Sequence, residues 1–227
     1  MRPYTALLDL LLPQRCAGCS RASGPLCGRC GAFLESDPAR ARPDPVPPAL
    51  PPVWAVTPYA GPVRMMITAY KDHGRTPLAD PLGRALARAL AAAAAGAPVP
   101  GPFLVVPVPS ARRAVRRRGH DHMRRMAEAA VRELRRDGHP ATGLAALRQR
   151  RRVRDQAGLP RSARAANLAG AMEAHPAADV AGRTVVLADD VLTSGHTLAE
   201  ATRALGEAGA DVSAAATLAV TLRRPRA

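Results

Sequence analysis

The stretch from Thr184 to Thr197 constrains this chain more than any other: Thr-Val-Val-Leu-Ala-Asp-Asp-Val-Leu-Thr-Ser-Gly-His-Thr. An apolar run, Val185, Val186 and Leu187, is followed by two adjacent carboxylates, Asp189 and Asp190. A turn rich in hydroxyls and glycine comes next, then a helical pattern from Leu198 to Ala208. The order predicts strand, loop, helix. A short continuous apolar run bounded by turn residues is the signature of a buried parallel strand, and open α/β sheets place ligands at the carboxyl end of such strands.

The residue types in this stretch select a ligand. Thr193, Ser194, Gly195, His196 and Thr197 bring three hydroxyls and the N–H groups of a turn entering a helix toward one place, and the helix N-terminus adds partial positive charge. That suits a phosphate monoester. Asp189 and Asp190 cannot bind the same phosphate, but they can accept hydrogen bonds from two vicinal hydroxyls, as on a ribose, or hold a hydrated Mg²⁺. Ribose 5-phosphate satisfies both halves. The competing explanation, a buried strand with an acidic helix cap, needs one carboxylate and not two. The stretch resembles the PRPP-binding motif of type I phosphoribosyltransferases. The resemblance implies that Asp189 and Asp190 bind the ribose 2′- and 3′-hydroxyls while residues 193–197 bind the 5-phosphate.

All four cysteines lie near the N-terminus, as Cys16-Ala-Gly-Cys19 and Cys27-Gly-Arg-Cys30. Two Cys-x-x-Cys knuckles let four thiolates converge tetrahedrally on one zinc ion, a closed and therefore structural site. A redox pair or free thiols are the alternatives. Ahead of them the apolar run ending at Leu12 is interrupted by Asp9 and stopped by Pro13. It is too short to span a membrane and lacks a cleavage site, so a cytoplasmic protein is expected. Residues 37–52 are Pro-rich and without periodicity, which predicts an extended linker. The expected organisation is therefore a zinc ribbon over 1–36, a linker over 37–52 and an α/β domain over 53–227.

Within that domain, Val53 to Pro58 and Phe103 to Pro109 read as buried strands, with a third near Leu144 to Leu147 and a last one from Val212 to Val220. Pro81 to Ala95 and Met123 to Arg136 read as packed helices. The 33 Lys and Arg residues against 18 Asp and Glu give a net charge of +15, which favours polyanionic ligands. Lys71 is the only lysine. Where a chain uses Arg almost everywhere, a single compact ammonium suggests a contact that a guanidinium would make badly, here with a diphosphate. The arginines from Arg112 to Arg118 supply further cations for pyrophosphate.

In this order the pieces resemble the ComF family. The match rests on Cys16, Cys19, Cys27 and Cys30; on Lys71 and Gly74; on Pro107 to Pro109; on Arg118-Gly119; on Gln156, Leu159, Arg164 and Asn167; and on Asp189 to Thr197. His120-Asp121-His122 stands where that family has Phe-Asn-Gln. The resemblance implies a type I phosphoribosyltransferase-like parallel sheet flanked by helices, with Asp189, Asp190 and Lys71 as catalytic residues. It implies that Pro109, Ser110, Arg118, Gln156, Arg164 and Asn167 join residues 193–197 in binding substrate, with Mg²⁺ accompanying PRPP. Three functions stay open: phosphoribosyl transfer to an unidentified acceptor with release of pyrophosphate; a phosphoribosyl-ligand-binding role in competence, handling single-stranded DNA beside a helicase-like motor; and a basic nucleic-acid binder with a vestigial site.

Overall fold

The computed structural model describes residues 15–99, 101–150 and 170–222. The cysteine knuckles come first, with the second entering a single helical turn, α1 (Gly28–Gly31), and a 3-10 turn over Ala32–Leu34. Then follow β1 (Ala39–Ala41), β2 (Val53–Pro58), α2 (Gly61–Asp72), α3 (Ala79–Gly96), β3 (Phe103–Pro107), α4 (Arg112–Arg118) and α5 (His122–Arg136). The chain continues through β4 (Ala141–Gly143), β5 (Leu147–Gln149), β6 (Met172–Ala174), β7 (Thr184–Leu192), α6 (His196–Glu207) and β8 (Asp211–Val220).

Six strands form the central sheet in the order β1-β2-β8-β7-β3-β4, parallel throughout except for the edge strand β1. Residues on the interior strands alternate between two buried clusters. Val185 and Leu187 of β7, Leu104 and Val106 of β3, and Ala215 of β8 pack under α6. Val186 and Ala188, Phe103 and Val105, and Ala214 and Ala216 pack on the opposite face, which α2, α3 and α5 cover. Both faces of every central strand are therefore dry, which is why these strands read as continuous apolar runs. With so few aromatics, small side chains fill the volume and bring elements close. A Cβ built on Gly83 of α3 would lie 2.4 Å from the Ala129 Cβ of α5.

Strand order fixes the location of a binding crevice. From β3 the chain crosses outward to β4, whereas from β7 it crosses the other way to β8. The β3/β7 boundary is the topological switch point, and the loops beyond the carboxyl ends of these two strands open into it.

Three expectations about elements need correction. The strand expected to stop before the acidic pair runs on to Leu192, because β8 continues the ladder to the Leu192↔Val220 pair after β3 has left it at Pro107↔Ala188. The carboxylates thus sit on a strand edge and not in a loop. The strand expected near Leu144 to Leu147 resolves into β4 and β5, and the latter pairs antiparallel with β6 in a separate two-stranded sheet. Glu200 and Arg203, an ion pair within α6, hold that small sheet through Met172: Glu200 accepts the Met172 N–H at 3.0 Å and both Arg203 Nε and Nη2 at 2.8 Å, and Arg203 Nη2 donates to the Met172 carbonyl at 2.9 Å.

Third, residues 37–52 are not simply an extended connection. Ala39 to Ala41 hydrogen-bond to β2, Pro43 and Pro47 are buried, and Arg40 lies over the Trp54 ring at 5.2 Å. Cys16, Ala17, Cys30 and Leu34 belong to the same buried cluster as α2 and α3, and Arg88 of α3 donates to the Leu34 carbonyl. The knuckles are packed onto the sheet's helical layer.

Candidate functional site

Asp190 is the hub of the switch-point crevice. It is 7% exposed, and its Oδ2 takes Lys71 Nζ at 2.5 Å and faces His122 Nε2 at 3.3 Å. Lys71 reaches it from the last turn of α2, and His122 from the first turn of α5. His122 Nδ1 is 3.1 Å from Ser110 Oγ, and that hydroxyl donates to Asp121 Oδ1 at 2.7 Å. Asp121 in turn caps α5 by accepting the Arg124 N–H. Five side chains from four segments are joined in one hydrogen-bonded line, Asp121–Ser110–His122–Asp190–Lys71.

The electrostatics of the acidic pair are divided. Burial pushes the Asp190 carboxyl up, but Lys71 and His122 outweigh it and hold the group well below the usual carboxylate range. Among the described residues, no side-chain cation is hydrogen-bonded to Asp189. Burial first, and the Asp190 charge second, push it up to about 7, although Lys71 and the Asp190 N–H oppose the shift. Lys71 is pulled down by burial and raised further by Asp190, Asp189 and Asp72, so its pKa lies above its ordinary value. One carboxylate is thus firmly anionic, and its neighbour is poised to change charge near neutrality.

Beyond the pair, Gly195 adopts φ +78° and turns the chain into α6, which begins at His196 and not at Leu198. His196 and Thr197 therefore lie in the first turn, where backbone N–H groups have no partner within the helix. The Ser194 hydroxyl lies 3.0 Å from His196 Nδ1. A Cβ on Gly195 would meet Leu50 Cδ2 at 3.0 Å and Pro43 Cγ at 3.2 Å, so the Pro-rich segment backs the turn. Between that segment and the turn lies a cleft of about 490 Å³ lined by Arg40, Arg42, Thr57, Thr193, Ser194 and Thr221 among others.

Of the other expected substrate contacts, Pro109 and Ser110 follow β3 directly into the crevice. Arg118 is engaged within the protein: its Nη1 donates to the Lys71 carbonyl and its Nε to the Ala114 carbonyl at 3.0 Å. Gln156, Arg164 and Asn167 lie outside the described residues. His122 was absent from the expected site. Its local signals were the helix cap at Asp121 and its place in the element where the ComF family has Phe-Asn-Gln, whereas its partners Ser110 and Asp190 lie on other segments.

The four cysteine sulfurs all lie within 4.8 Å of one another. A tetrahedral ion with metal–sulfur bonds of about 2.3 Å needs sulfurs about 3.8 Å apart, so the donor set fits a metal ion. Burial opposes ionisation of Cys16, but the N–H groups of Cys27, Gly18 and Cys19 outweigh it and bring this thiol down to about 6. Burial and the neighbouring cysteines push Cys30 up. Four thiolates cannot share this space without a cation.

Residues 124–226 match the family model described as "Phosphoribosyl transferase domain". A stretch of 37 residues is 60% identical to the adenine phosphoribosyltransferase of Mycolicibacterium smegmatis (strain ATCC 700084 / mc(2)155), covering 16% of this chain and 21% of that protein. The matched stretch thus spans about a fifth of the relative's length. Residues 124–226, which include β7 and the turn into α6, are thus similar to a phosphoribosyltransferase domain, and the fold is a mostly parallel α/β sheet with a cluster of cysteines packed beside it. Among the described residues, no helix is long and apolar enough to cross a membrane.

Proposed function

We propose that this protein is a phosphoribosyltransferase of the ComF type, binding PRPP and transferring its phosphoribosyl group to an acceptor with release of pyrophosphate. The observation that carries the reading is the pairing of a split-charge acidic pair on β7 with a glycine-turned helix N-terminus a few residues on, at the sheet's switch point. In this reading Asp189 and Asp190 accept the ribose 2′- and 3′-hydroxyls, and Thr193, Ser194, Gly195, His196 and Thr197 hold the 5-phosphate. Lys71 and the Pro109-Ser110 loop face the diphosphate. Arg118 acts through the Lys71 carbonyl, setting where that ammonium stands. Mg²⁺ bound with the diphosphate would neutralise leaving-group charge. As the C1–O bond breaks, positive charge develops on the sugar, and the anionic Asp190 near the ribose opposes that charge within a partly buried crevice. The cysteines hold a structural Zn²⁺ in a ribbon over 1–36, residues 37–52 join it to the sheet, and 53–227 form the transferase domain.

Calorimetry with Mg²⁺ and PRPP, on the wild type and on Asp189→Asn/Asp190→Asn, tests the reading. Micromolar binding that the double variant loses supports it and opens a screen of acceptors for pyrophosphate release. Absence of binding by a folded wild type overturns it.

A further inference from the structure

His122 is 3% exposed, and both of its ring nitrogens face polar atoms. Counting protons along the line fixes what each atom can do. The Ser110 hydroxyl has one hydrogen and lies 2.7 Å from a carboxylate oxygen of Asp121, which also accepts the Arg124 N–H. An ionised carboxylate only accepts, so Ser110 donates to it and offers His122 Nδ1 a lone pair. Nδ1 must therefore carry a hydrogen. At the other side of the ring, Nε2 faces Asp190 Oδ2, the oxygen that also accepts from Lys71. That oxygen too is an acceptor, so Nε2 must carry a hydrogen as well. A neutral tautomer leaves acceptor facing acceptor at one end.

From this geometry we infer that His122 stands in the crevice as an imidazolium and is the positioning residue for Asp190, sharing that carboxylate with Lys71. The inference rests on the function proposed above. Once Lys71 turns to a bound diphosphate, Asp190 needs a second cation to keep its place against the ribose, and among the described residues His122 is the one in contact. The groups facing the ring are consistent with a cation: Asp190, with Asp189 beside it, from β7; Ser110, relaying Asp121, from the β3 loop; and Tyr70 of α2. The Tyr70 ring packs edge-on at 6.2 Å, and its hydroxyl donates to the His122 carbonyl. Lys71 is the opposing cation and sits across the Asp190 carboxylate.

The test combines ¹⁵N NMR of the imidazole nitrogens with ligand binding. In the ligand-free wild type at pH 7, the His122 signals, assigned by their loss in His122→Gln, are expected to show hydrogens on both nitrogens. One bare nitrogen overturns the charge assignment. Binding of ribose 5-phosphate and of Mg²⁺-PRPP is then compared across variants of verified fold. His122→Leu is expected to weaken both ligands by a similar factor of about tenfold, because it acts through the ribose-binding carboxylate. His122→Gln, which keeps a donor toward Asp190 but no charge, is expected to recover part of that loss. Lys71→Met is expected to weaken PRPP more than ribose 5-phosphate. Wild-type affinity for both ligands in His122→Leu, or a loss confined to PRPP, overturns the positioning role. If the wild type binds neither ligand, the proposed function and the positioning role fall together, while the NMR still decides the charge.

Discussion

Lys71 and Asp190 are 119 residues apart in the chain, and their side chains meet at 2.5 Å where α2 ends against β7. The only lysine of the protein is thus paired with one member of its acidic doublet. An ammonium on a flexible stem can leave a carboxylate for a diphosphate with little rearrangement, whereas a planar guanidinium holds its partner through a fixed fork.

Lys71→Met is therefore expected to weaken PRPP binding by about tenfold to a hundredfold, the value of a charge-assisted hydrogen bond at roughly 1.5–3 kcal/mol. Lys71→Arg keeps the charge and is expected to recover only part of the loss. Calorimetric titration of both variants with Mg²⁺-PRPP checks this. Equal affinity in wild type and Lys71→Met would remove Lys71 from the site.

The divided acidic pair predicts a pH dependence with a definite sign. Asp189 titrates at about 7 in the folded chain, against about 3.9 when unfolded. The folded state binds this proton more tightly, so the stability it contributes is complete below about pH 4 and is lost as pH rises through 7. The depressed Asp190 carboxyl contributes stability that disappears only in acid, and the raised Lys71 contributes stability that disappears only above its ordinary value near 10.5. Among these three groups, the slope between pH 5 and 8 therefore belongs to Asp189. Thermal melts of the ligand-free protein should give a higher Tm at pH 5 than at pH 8, and Asp189→Asn should reduce that difference. Ribose binding should run the opposite way, strengthening from pH 6 to 8 as Asp189 becomes an acceptor.

Much of this arrangement can be read directly from residue order. The β2 strand has the expected bounds, and the helices ending at Gly96 and Arg136 lie where their apolar spacing put them. Local pattern also marked the acidic doublet and the glycine turn that leads into α6. It failed where structure depends on distant partners. β7 extends past its apolar run only because β8 keeps pairing with it. β1 forms in a Pro-rich segment because β2 offers a free edge. The arginine run of α4 has no apolar periodicity to announce a helix, yet it forms one closed by Gly119 at φ +76°. His122 acquires its place from Ser110 and Asp190, neither of which is its neighbour in sequence.

The packing of the knuckles predicts coupling between metal and fold. Cys16 and Cys30 are part of the main core, and a Cβ on Gly18 would fall 2.7 Å from Cys30 Sγ and 3.2 Å from Pro62 Cβ of α2. Gly18→Ala must displace a cysteine, so metal affinity should fall at least about tenfold, roughly 1.4 kcal/mol. Competition with a chromophoric chelator measures that loss. Stripping the metal from the wild type should lower its Tm, because ion binding at such a site is folding free energy. One metal ion per chain is expected by elemental analysis, and an unchanged Tm after complete removal would show that the cysteines do not support the fold through a metal.

Gly195 tests the turn itself. Its φ of +78° lies in the left-handed region, where a side chain costs about 1–2 kcal/mol. The added methyl group would also press on Leu50 and Pro43, so the Pro-rich segment would have to yield. Gly195→Ala is expected to lower stability by about that amount and, by moving the first N–H groups of α6, to weaken ribose 5-phosphate binding by tenfold or more, about 1.4 kcal/mol. Pairing it with Leu50→Ala separates the two causes. If the smaller residue at 50 restores stability but not binding, the contact with the Pro-rich segment accounts for the stability loss, and the backbone conformation at residue 195 is what the phosphate requires. If Leu50→Ala restores both, the turn tolerates a side chain and its geometry is set from outside by residues 43–50. Binding equal to wild type in Gly195→Ala alone would mean that the phosphate is held elsewhere.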